Sequence, residues 1–331
     1  MPAASLVQRL GAAGAVRRGI VGWIVPALLA PALALPWLVG DFYVRLAIEA
    51  FLLGALALSV DILLGFAGLL SLGQAMYFGL SAYLTALCYL HVTQSFWLVA
   101  LIVAIAVALV AAVLGAVAIR AKGVYFALIT FGAAEIAGKI VHNTRALGGS
   151  DGLLGIPVPA IALPGFDLPL RSNLVFYYVV LAVVVLVYLA VNRILATPFG
   201  SVLSAIRDNA SRVPYLGYNP FWYKFFAYLL AAEVAAAGGL FYPLLRGFVG
   251  PDLFGFEIST QSVVMALVGG VGTLIGPLVG GVVITFLQSV LGSYTERHLF
   301  VLGIIFILFV RFLPGGLFSL LRGASARGRA P

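Results

Sequence analysis

The chain has 331 residues, of which 63% are hydrophobic and only 9% are charged, and its mean hydropathy is +1.15. An ordinary soluble domain is about a quarter charged, so 19 basic and 11 acidic side chains are too few to cover a water-facing surface of this size. The composition therefore excludes a soluble globular protein and predicts an all-α, polytopic integral membrane protein.

Transmembrane helices are predicted from apolar stretches, because a hydrocarbon core of about 30 Å requires roughly 20 helical residues. Ten stretches qualify in chain order: 20–40, 42–64, 74–90, 96–119, 123–141, 173–192, 221–240, 258–274, 276–291 and 299–313. The eighth and ninth are the least distinct, since the uncharged region 263–290 also fits one long broken helix. The lone cysteine, Cys88, lies in the third stretch, which excludes an intramolecular disulfide framework.

The net charge of +8 is interpreted through its position along the chain. With an inner N-terminus, most basic residues fall on inner segments: Arg9, Arg17, Arg18, Arg120, Lys122, Arg193, Arg207, Arg212, Lys224, Arg311, Arg322, Arg327 and Arg329. Fewer fall outside: Arg45, Lys139, Arg145, Arg171, Arg246 and Arg297. This bias predicts that both termini are cytoplasmic, with an N-terminal segment at 1–19, a transmembrane domain at 20–313 and a basic tail at 314–331. It also explains the positive charge without nucleic acid as a partner.

Sequence motifs for catalysis and metal binding are missing. The glycine-rich run 269–273 lacks the lysine of a phosphate-binding loop, so the chain is not expected to hydrolyse ATP. His91, His142 and His298 fall in separate outer loops, and no pair of cysteines exists. We therefore expect no catalytic residue, no metal site and no cofactor bound by this chain.

Charged residues near or within the predicted spans are the first functional candidates. Arg45 with Glu49, and Glu135 with Lys139, are spaced i,i+4 on one helix face, which favours mutual neutralisation during insertion. Glu233 has no basic residue at that spacing and is expected to face protein or water. A protonated structural role and a place on a solute pathway both remain open for it.

Glycine-rich segments are the second candidates, at 65–73 and 269–281. Gly276 and Gly280 have the four-residue spacing that lets helix backbones approach closely in lipid. The segment from Gly65 to Gly73 also fits a broken helix, which transporters use to expose backbone groups to a solute.

The inner loop 196–219 is predicted to contain a short amphipathic helix, starting near Pro198 and closed by Gly217. Such a helix either lies passively on the bilayer surface or docks a cytoplasmic partner.

Several segments resemble one known family, the permeases of branched-chain amino-acid ABC transporters, specifically the LivM-type subunit. The segments are Ser204-Ala205-Ile206-Arg207-Asp208-Asn209 with 216–220, the early signature 65–74, the middle region 123–135 with 148–157, and the C-terminal runs 269–277 and 311–317. They occur in the family order over about residues 50 to 320.

The resemblance implies an importer permease fold in a bacterial inner membrane and a multi-subunit assembly. The expected partners are a LivH-like second permease, two ATPase subunits that use ATP and magnesium, a periplasmic solute-binding protein, and membrane lipid. It implies that the loop 196–219 couples ATP use to transport through these residues: Ser204, Ala205, Ile206, Arg207, Asp208, Leu216 and Gly217. The candidate pathway residues are Gly65, Gly68, Ser71, Gly73, Gln74, Glu135 and Glu233.

Departures from the family pattern leave the solute open. Leu69 and Gln74 stand where relatives commonly carry Gln and His, Ala210 replaces an acidic residue, and Pro214 interrupts the usual helix of the coupling loop. Branched-chain amino acids, urea or short amides, and aromatic acids all remain as solutes. A proton-coupled secondary transporter, with Glu233 as the proton carrier, is the alternative of another class.

Overall fold

The structure is a computed structural model that describes residues 29–163, 166–294, 298–312 and 315–317. The predicted N-terminal segment 1–19 and nearly all of the tail 314–331 lie outside these residues. The described residues divide into two units, one that ends at Val44 and one that begins at Arg45. The described part of the first unit holds helix α1, Leu29–Leu38, and the start of the next helix.

The second unit is built from helices. Their bounds are α2 Asp41–Asp61 (which begins in the first unit and is extended by a π-helix, Ile62–Ala67), α3 Gln74–His91, α4 Phe96–Ala118, α5 Val124–Asn143, α6 Asn173–Leu195, α7 Pro198–Asn209, α8 Pro220–Arg246, α9 Phe256–Gly269, α10 Ile275–Tyr294 and α11 His298–Phe312. Short 3-10 turns occupy Arg145–Leu147, Gly149–Asp151, Val213–Leu216 and Pro251–Phe254.

Six described helices are long and apolar enough to cross a membrane: α2 with its π-helix, α4, α5, α6, α8 and α10. Each coincides with a predicted span. The remaining predicted spans correspond to α1, α3, α9 and α11, and the number ten is thus not established. Helices α1, α9 and α11 are short in the described residues, whereas α3 is less apolar because it is almost entirely enclosed by protein.

Helix α3 packs against α8 in the centre of the second unit. Ser81 Oγ donates to the carbonyl oxygen of Ala236 at 2.7 Å, and the buried hydroxyls of Tyr77 and Tyr228 are hydrogen-bonded at 2.9 Å. Polar side chains are tolerated at this position because another helix, and not lipid, satisfies them.

Helices α9 and α10 form a tight antiparallel hairpin. The turn 270–274 separates them, so the region 263–290 is two helices and not one long broken helix. A Cβ atom on Gly280 would overlap the backbone of Met265, and one on Gly276 would reach the backbone of Gly269. The predicted close packing of the glycines at 276 and 280 is confirmed, with α9 as the neighbour.

The chain is mostly helical, as predicted, and the long loops at one end of the unit add a few short strands. Strand β1, Leu153–Leu154, pairs antiparallel with β4, Phe248–Val249, and β2, Ala160–Leu163, forms a hairpin with β3, Phe166–Pro169. The backbone N–H and C=O groups of these loops need hydrogen-bond partners, and the short antiparallel strand pairs supply them. Runs of two to four residues are too short for a periodic sequence signal.

Helix ends gather in two sets that agree with the predicted alternation of spans. At one end, the C-terminus of α2 contacts α7 and the α9–α10 turn, and Gly316 contacts that same turn. At the opposite end, Trp97 Nε1 donates to the carbonyl oxygen of Ala162 at 2.9 Å, and β1 pairs with β4. The first set contains the segments predicted to be cytoplasmic, and we call it the inner end.

Candidate functional site

The coupling helix, α7, begins with Pro198 after the N-cap residue Thr197, where the missing N–H of proline costs nothing. Its apolar face is covered by the same chain. Val202 and Ile206 form a small buried cluster with Val213, and the partly buried Tyr223 packs against it. The helix is thus held against protein, and its apolar face is not left for the bilayer surface.

Helix α7 ends at Asn209 for two reasons: Pro214 interrupts the helix, and side-chain hydrogen bonds compete with its backbone bonds. Asn209 Oδ1 accepts hydrogen bonds from Ser211 N at 3.2 Å and from Ser211 Oγ at 2.7 Å, which draws the backbone out of the helix. The chain then forms the 3-10 turn Val213–Leu216 and reverses at Gly217, whose φ is +83°.

The accessible part of the loop coincides only in part with its predicted coupling residues. Ile206 is only 2% exposed, whereas Tyr215 is 91% and Leu216 70% exposed. Ser204 Oγ donates to the carbonyl oxygen of Gly200 within the helix, and Ala205 is half-buried. Asp208 is exposed and pairs with its neighbour Arg207 at 3.3 Å. Tyr215 was not among the coupling residues predicted from the sequence. An aromatic residue next to Pro214 in a polar loop could have identified it as a candidate contact residue.

Arg207 links α7 to the break at the end of α2. Its Nη1 atom donates a hydrogen bond to the carbonyl oxygen of Gly65, which lies in the π-helix. Gly68 ends that π-helix with φ +68°, and a Cβ atom there would lie 3.0 Å from Arg207 Cγ. Only glycine combines this left-handed backbone with so close an approach.

The break itself has the form expected for the Gly65–Gly73 segment. The wider π-helical turn at Ile62–Ala67 leads into an irregular stretch, and α3 begins at Gln74. The amide of Leu69 donates to the carbonyl oxygen of Leu63 at 2.9 Å, which closes the turn. Single π turns of this kind are frequent at functional sites.

Asp61 ties this break to the α9–α10 turn. Its side chain is fully buried, and its Oδ1 and Oδ2 atoms accept hydrogen bonds from the amides of Gly272 at 2.5 Å and Leu274 at 3.1 Å. Leu274 has φ +64°, a conformation that is unusual for a residue with a side chain. The carboxylate stabilises this turn, because charge-assisted bonds to backbone amides are stronger than neutral ones.

Gly65 lies between these two contacts. A Cβ atom on Gly65 would lie 2.6 Å from the amide nitrogen of Gly272 and would also overlap the Asp61 carboxylate. Arg207, Gly65, Asp61 and Gly272 therefore form a continuous set of contacts, which we call the inner junction. It connects the coupling helix, the broken end of α2 and the α9–α10 hairpin.

The other early candidates lie beside α5, inside the protein. Ser71 and Gln74 are buried, and Gln74 Nε2 donates to Ser71 Oγ at 3.5 Å. The amide of Leu72 donates to Thr130 Oγ1 at 3.3 Å, and Gly73 is packed against the backbone of Thr130. Within the described residues, Gln74 Oε1 is buried without a hydrogen-bond partner. This polar cluster is separate from the inner junction but belongs to the same loop.

Glu135 and Glu233 lie apart from that loop, on α5 and α8. Glu135 is half-buried, and it forms no ion pair with Lys139 among the described residues, where Lys139 is exposed. A Cβ atom on Gly132, one turn before Glu135, would meet nothing within 4 Å. Glu233 is half-buried, and its Oε1 atom has no hydrogen-bond partner in the described part of the chain.

The predicted pairing of Arg45 with Glu49 is wrong. Glu49 pairs with Arg246 at the end of α8, and Arg45 Nε donates to Asn173 Oδ1 at 3.3 Å. Glu49 and Arg45 each bond to a residue of another helix and not to each other. The spacing of residues in the sequence cannot reveal such partners. Across the described ranges, no group of three His, Cys, Asp or Glu side chains is arranged to hold a metal ion.

Six long apolar helices, with a loop helix anchored on the broken end of one of them, define a multi-pass membrane protein. Residues 42–310 match the family described as "Branched-chain amino acid transport system / permease component", and the chain belongs to this family.

Curated relatives carry the same description. The chain is 27% identical over 316 residues, covering 89% of this chain and 74% of the relative, to the high-affinity branched-chain amino acid transport system permease proteins LivM of Escherichia coli and of Salmonella typhimurium. It is 28% identical over 166 residues to a probable LivM of Methanocaldococcus jannaschii, covering 50% of this chain and 47% of the relative. No solved structure matches the chain. The predicted family and its LivM-type relatives are thus confirmed.

Proposed function

We propose that this chain is the transmembrane permease subunit of an ATP-binding-cassette importer in a bacterial inner membrane. The observation that carries the proposal is the hydrogen bond from Arg207 to Gly65, because it joins a loop helix outside the spans to the backbone of a span. A motor protein that moves α7 would move the end of α2 with it. ATP binding can drive transport only if the two conformational states of the transporter differ in contacts of this kind.

The assembly in this proposal contains a LivH-like second permease, two ATPase subunits and a periplasmic solute-binding protein. ATP and magnesium bind to the ATPase subunits, and this chain contributes the docking loop. All ten predicted helices cross the membrane, and both termini are cytoplasmic, as the distribution of arginine and lysine favours. The domain arrangement is the predicted one, with the coupling loop at 196–219.

Docking is assigned to the exposed part of the coupling loop. Tyr215 and Leu216 present an apolar surface to water, and aromatic residues supply much of the binding energy in protein interfaces. Ile206 supports this surface from within. Leu216 precedes Gly217, whose positive φ fixes the direction in which the tip points.

The docking assignment is tested by copurification of the ATPase subunits with the full importer from membranes. The variant is Tyr215→Ser with Leu216→Ser, and the matched control is Tyr294→Ser, an exposed tyrosine at the end of α10. We expect the ATPase subunits to be lost from the double variant and retained in the control. Full retention in the double variant, with unchanged uptake, would refute docking at this surface.

The solute pathway is proposed to involve the open face of α5. Gly132 faces open space, and Glu135 and Lys139 follow on the same helix, although charged side chains are expensive against lipid. This face is therefore proposed to contact the second permease and the pathway between the two subunits. The segment with Gly65, Gly68, Ser71, Gly73 and Gln74 controls its inner end, and Glu233 lines its middle.

The solute is proposed to be a branched-chain amino acid, by analogy with the curated relatives named above. Urea or short amides and aromatic acids are the alternatives for the same class of importer. Competition for uptake of labelled leucine by unlabelled valine, urea and benzoate distinguishes them. Competition by valine alone supports the first assignment.

A proton-coupled secondary transporter is the second candidate, because Glu233 Oε1 is buried and has no hydrogen-bond partner among the described residues. Such a protein would accumulate solute in liposomes from a pH gradient, without ATP or other subunits. Uptake by the purified chain alone that is lost in Glu233→Gln would favour this candidate over the importer.

A further inference from the structure

A cavity of about 350 Å³ lies at the inner end, beside the coupling loop. The end of α4, the loop before α5, the chain after α7 and the start of α8 surround it. Arg120, Lys122 and Lys224 contribute positive charges, Ser211 contributes a hydroxyl, and Ile119 and Phe221 contribute apolar walls. These groups come from segments up to about a hundred positions apart in the sequence, so only the fold brings them together.

Among the residues that the structure describes, no acidic side chain balances these three positive charges. None of the described lining residues is acidic, and none of the three basic residues forms an ion pair with a described acidic residue. Lys224 is half-buried and lies close enough to Lys122 for their charges to repel. Like charges held at one cavity raise the free energy of the empty site and lower that of an anion-filled one.

The flank of the cavity indicates which kind of anion fits. On α4, the exposed Val113 and Val117 share one helix face near the end of the helix, and Arg120 follows two positions after that end. On α8, Trp222 and Phe226 are exposed beside the lining residue Phe221. Exposed apolar side chains on a membrane span face acyl chains, and tryptophan is typical of the headgroup level. The cavity therefore lies at the boundary between headgroups and acyl chains.

We propose that this cavity binds the phosphate group of an anionic phospholipid from the cytoplasmic leaflet. Arg120, Lys122 and Lys224 contact the phosphate, and the acyl chains lie along the apolar face of α4. Basic pockets between helices on the cytoplasmic side suit such headgroups. Because Ala210 and Ser211 directly follow α7, the bound lipid holds the end of the coupling helix against α4 and α8.

The test uses the purified full chain in lipid nanodiscs or detergent and native mass spectrometry with short-chain phosphatidylglycerol as the probe. The variant is Lys122→Gln with Lys224→Gln, and the matched control is Arg193→Gln, an exposed arginine at the same end of the protein. Each positive charge near an anionic surface is worth about fivefold in affinity, so we expect a loss of roughly 25-fold in the double variant. The control should bind as the wild type does.

Several outcomes would overturn the proposal. They are equal binding of phosphatidylcholine, an equal loss in the control, or displacement of the lipid by millimolar inorganic phosphate, which would make free phosphate the ligand. Occupation by an acidic surface of an ATPase subunit would appear as loss of that subunit when the whole importer carrying the double variant is copurified from membranes, with lipid binding by the purified chain unchanged. Should the double variant elute as an aggregate, Arg120→Gln is measured in its place, with a loss of about fivefold expected.

Discussion

Arg207→Ala tests whether the inner junction transmits movement from the coupling helix to the spans. The change removes the hydrogen bond to the Gly65 carbonyl oxygen, and a bond from a charged donor contributes about 1.5–3 kcal/mol. Because the Arg207 side chain is 43% exposed, solvent screening reduces this to about 1–1.4 kcal/mol. A loss of that size lowers the coupling between α7 and α2 by roughly 5- to 10-fold.

The assay is the number of solute molecules taken up per ATP hydrolysed by the whole importer in proteoliposomes. We expect Arg207→Ala to lower this ratio while the ATPase subunits still copurify, since Tyr215 and Leu216 are intact. Arg212→Ala, at an exposed arginine of the same loop, is the matched control and should keep the ratio. An unchanged ratio in Arg207→Ala, or an equal fall in Arg212→Ala, would refute transmission through Gly65.

Three further substitutions address the supporting packing. Asp61→Asn weakens the bonds to the Gly272 and Leu274 amides and should cost about 2 kcal/mol, measured as a lower thermal midpoint in detergent; no shift would contradict the assigned role. Gly280→Leu overpacks the α9–α10 hairpin and should cost about 1–3 kcal/mol in the same assay, unlike Gly292→Leu, which meets open space. Ile206→Ala should cost about 2–4 kcal/mol of local stability, read as faster proteolysis of the loop; wild-type resistance would contradict this.

The spans could be predicted well because a bilayer imposes a length and a composition on each helix. Helices α4 and α6 match their predicted stretches within three residues at either end. Helix α3 shows why the rule weakens inside a bundle: its neighbours are protein, so Tyr77 and Ser81 find partners on α8. Hydropathy identifies what faces lipid and is less informative about what faces another helix.

The coupling loop shows a different limit of sequence reasoning. The amphipathic pattern in 196–219 identified a helix, and the resemblance to a family suggested its role. Neither could reveal that Ile206 is enclosed by Val202 and Val213 while Tyr215 is exposed. Periodicity defines an apolar face, but the identity of the surface that covers it depends on contacts between distant segments.

Asp61 was visible in the sequence as a carboxylate within an apolar stretch, and its partners were not. Two of them are backbone amides more than two hundred positions later, in the turn between α9 and α10. A buried acidic residue close to one glycine-rich segment is better sought against the backbone of another such segment.

The two glycine-rich segments of the chain have one physical explanation at the inner junction. In lipid, helices gain little from hiding apolar side chains, so close backbone packing supplies much of their association. Gly65 approaches Gly272, and Gly280 approaches Met265, with no side chain between the backbones. Side chains can absorb a displacement by changing rotamer, whereas backbones in direct contact must move together. A shift of α7 that reaches Gly65 through Arg207 would therefore be passed to the α9–α10 hairpin with little loss, as the proposed role of α7 in coupling requires.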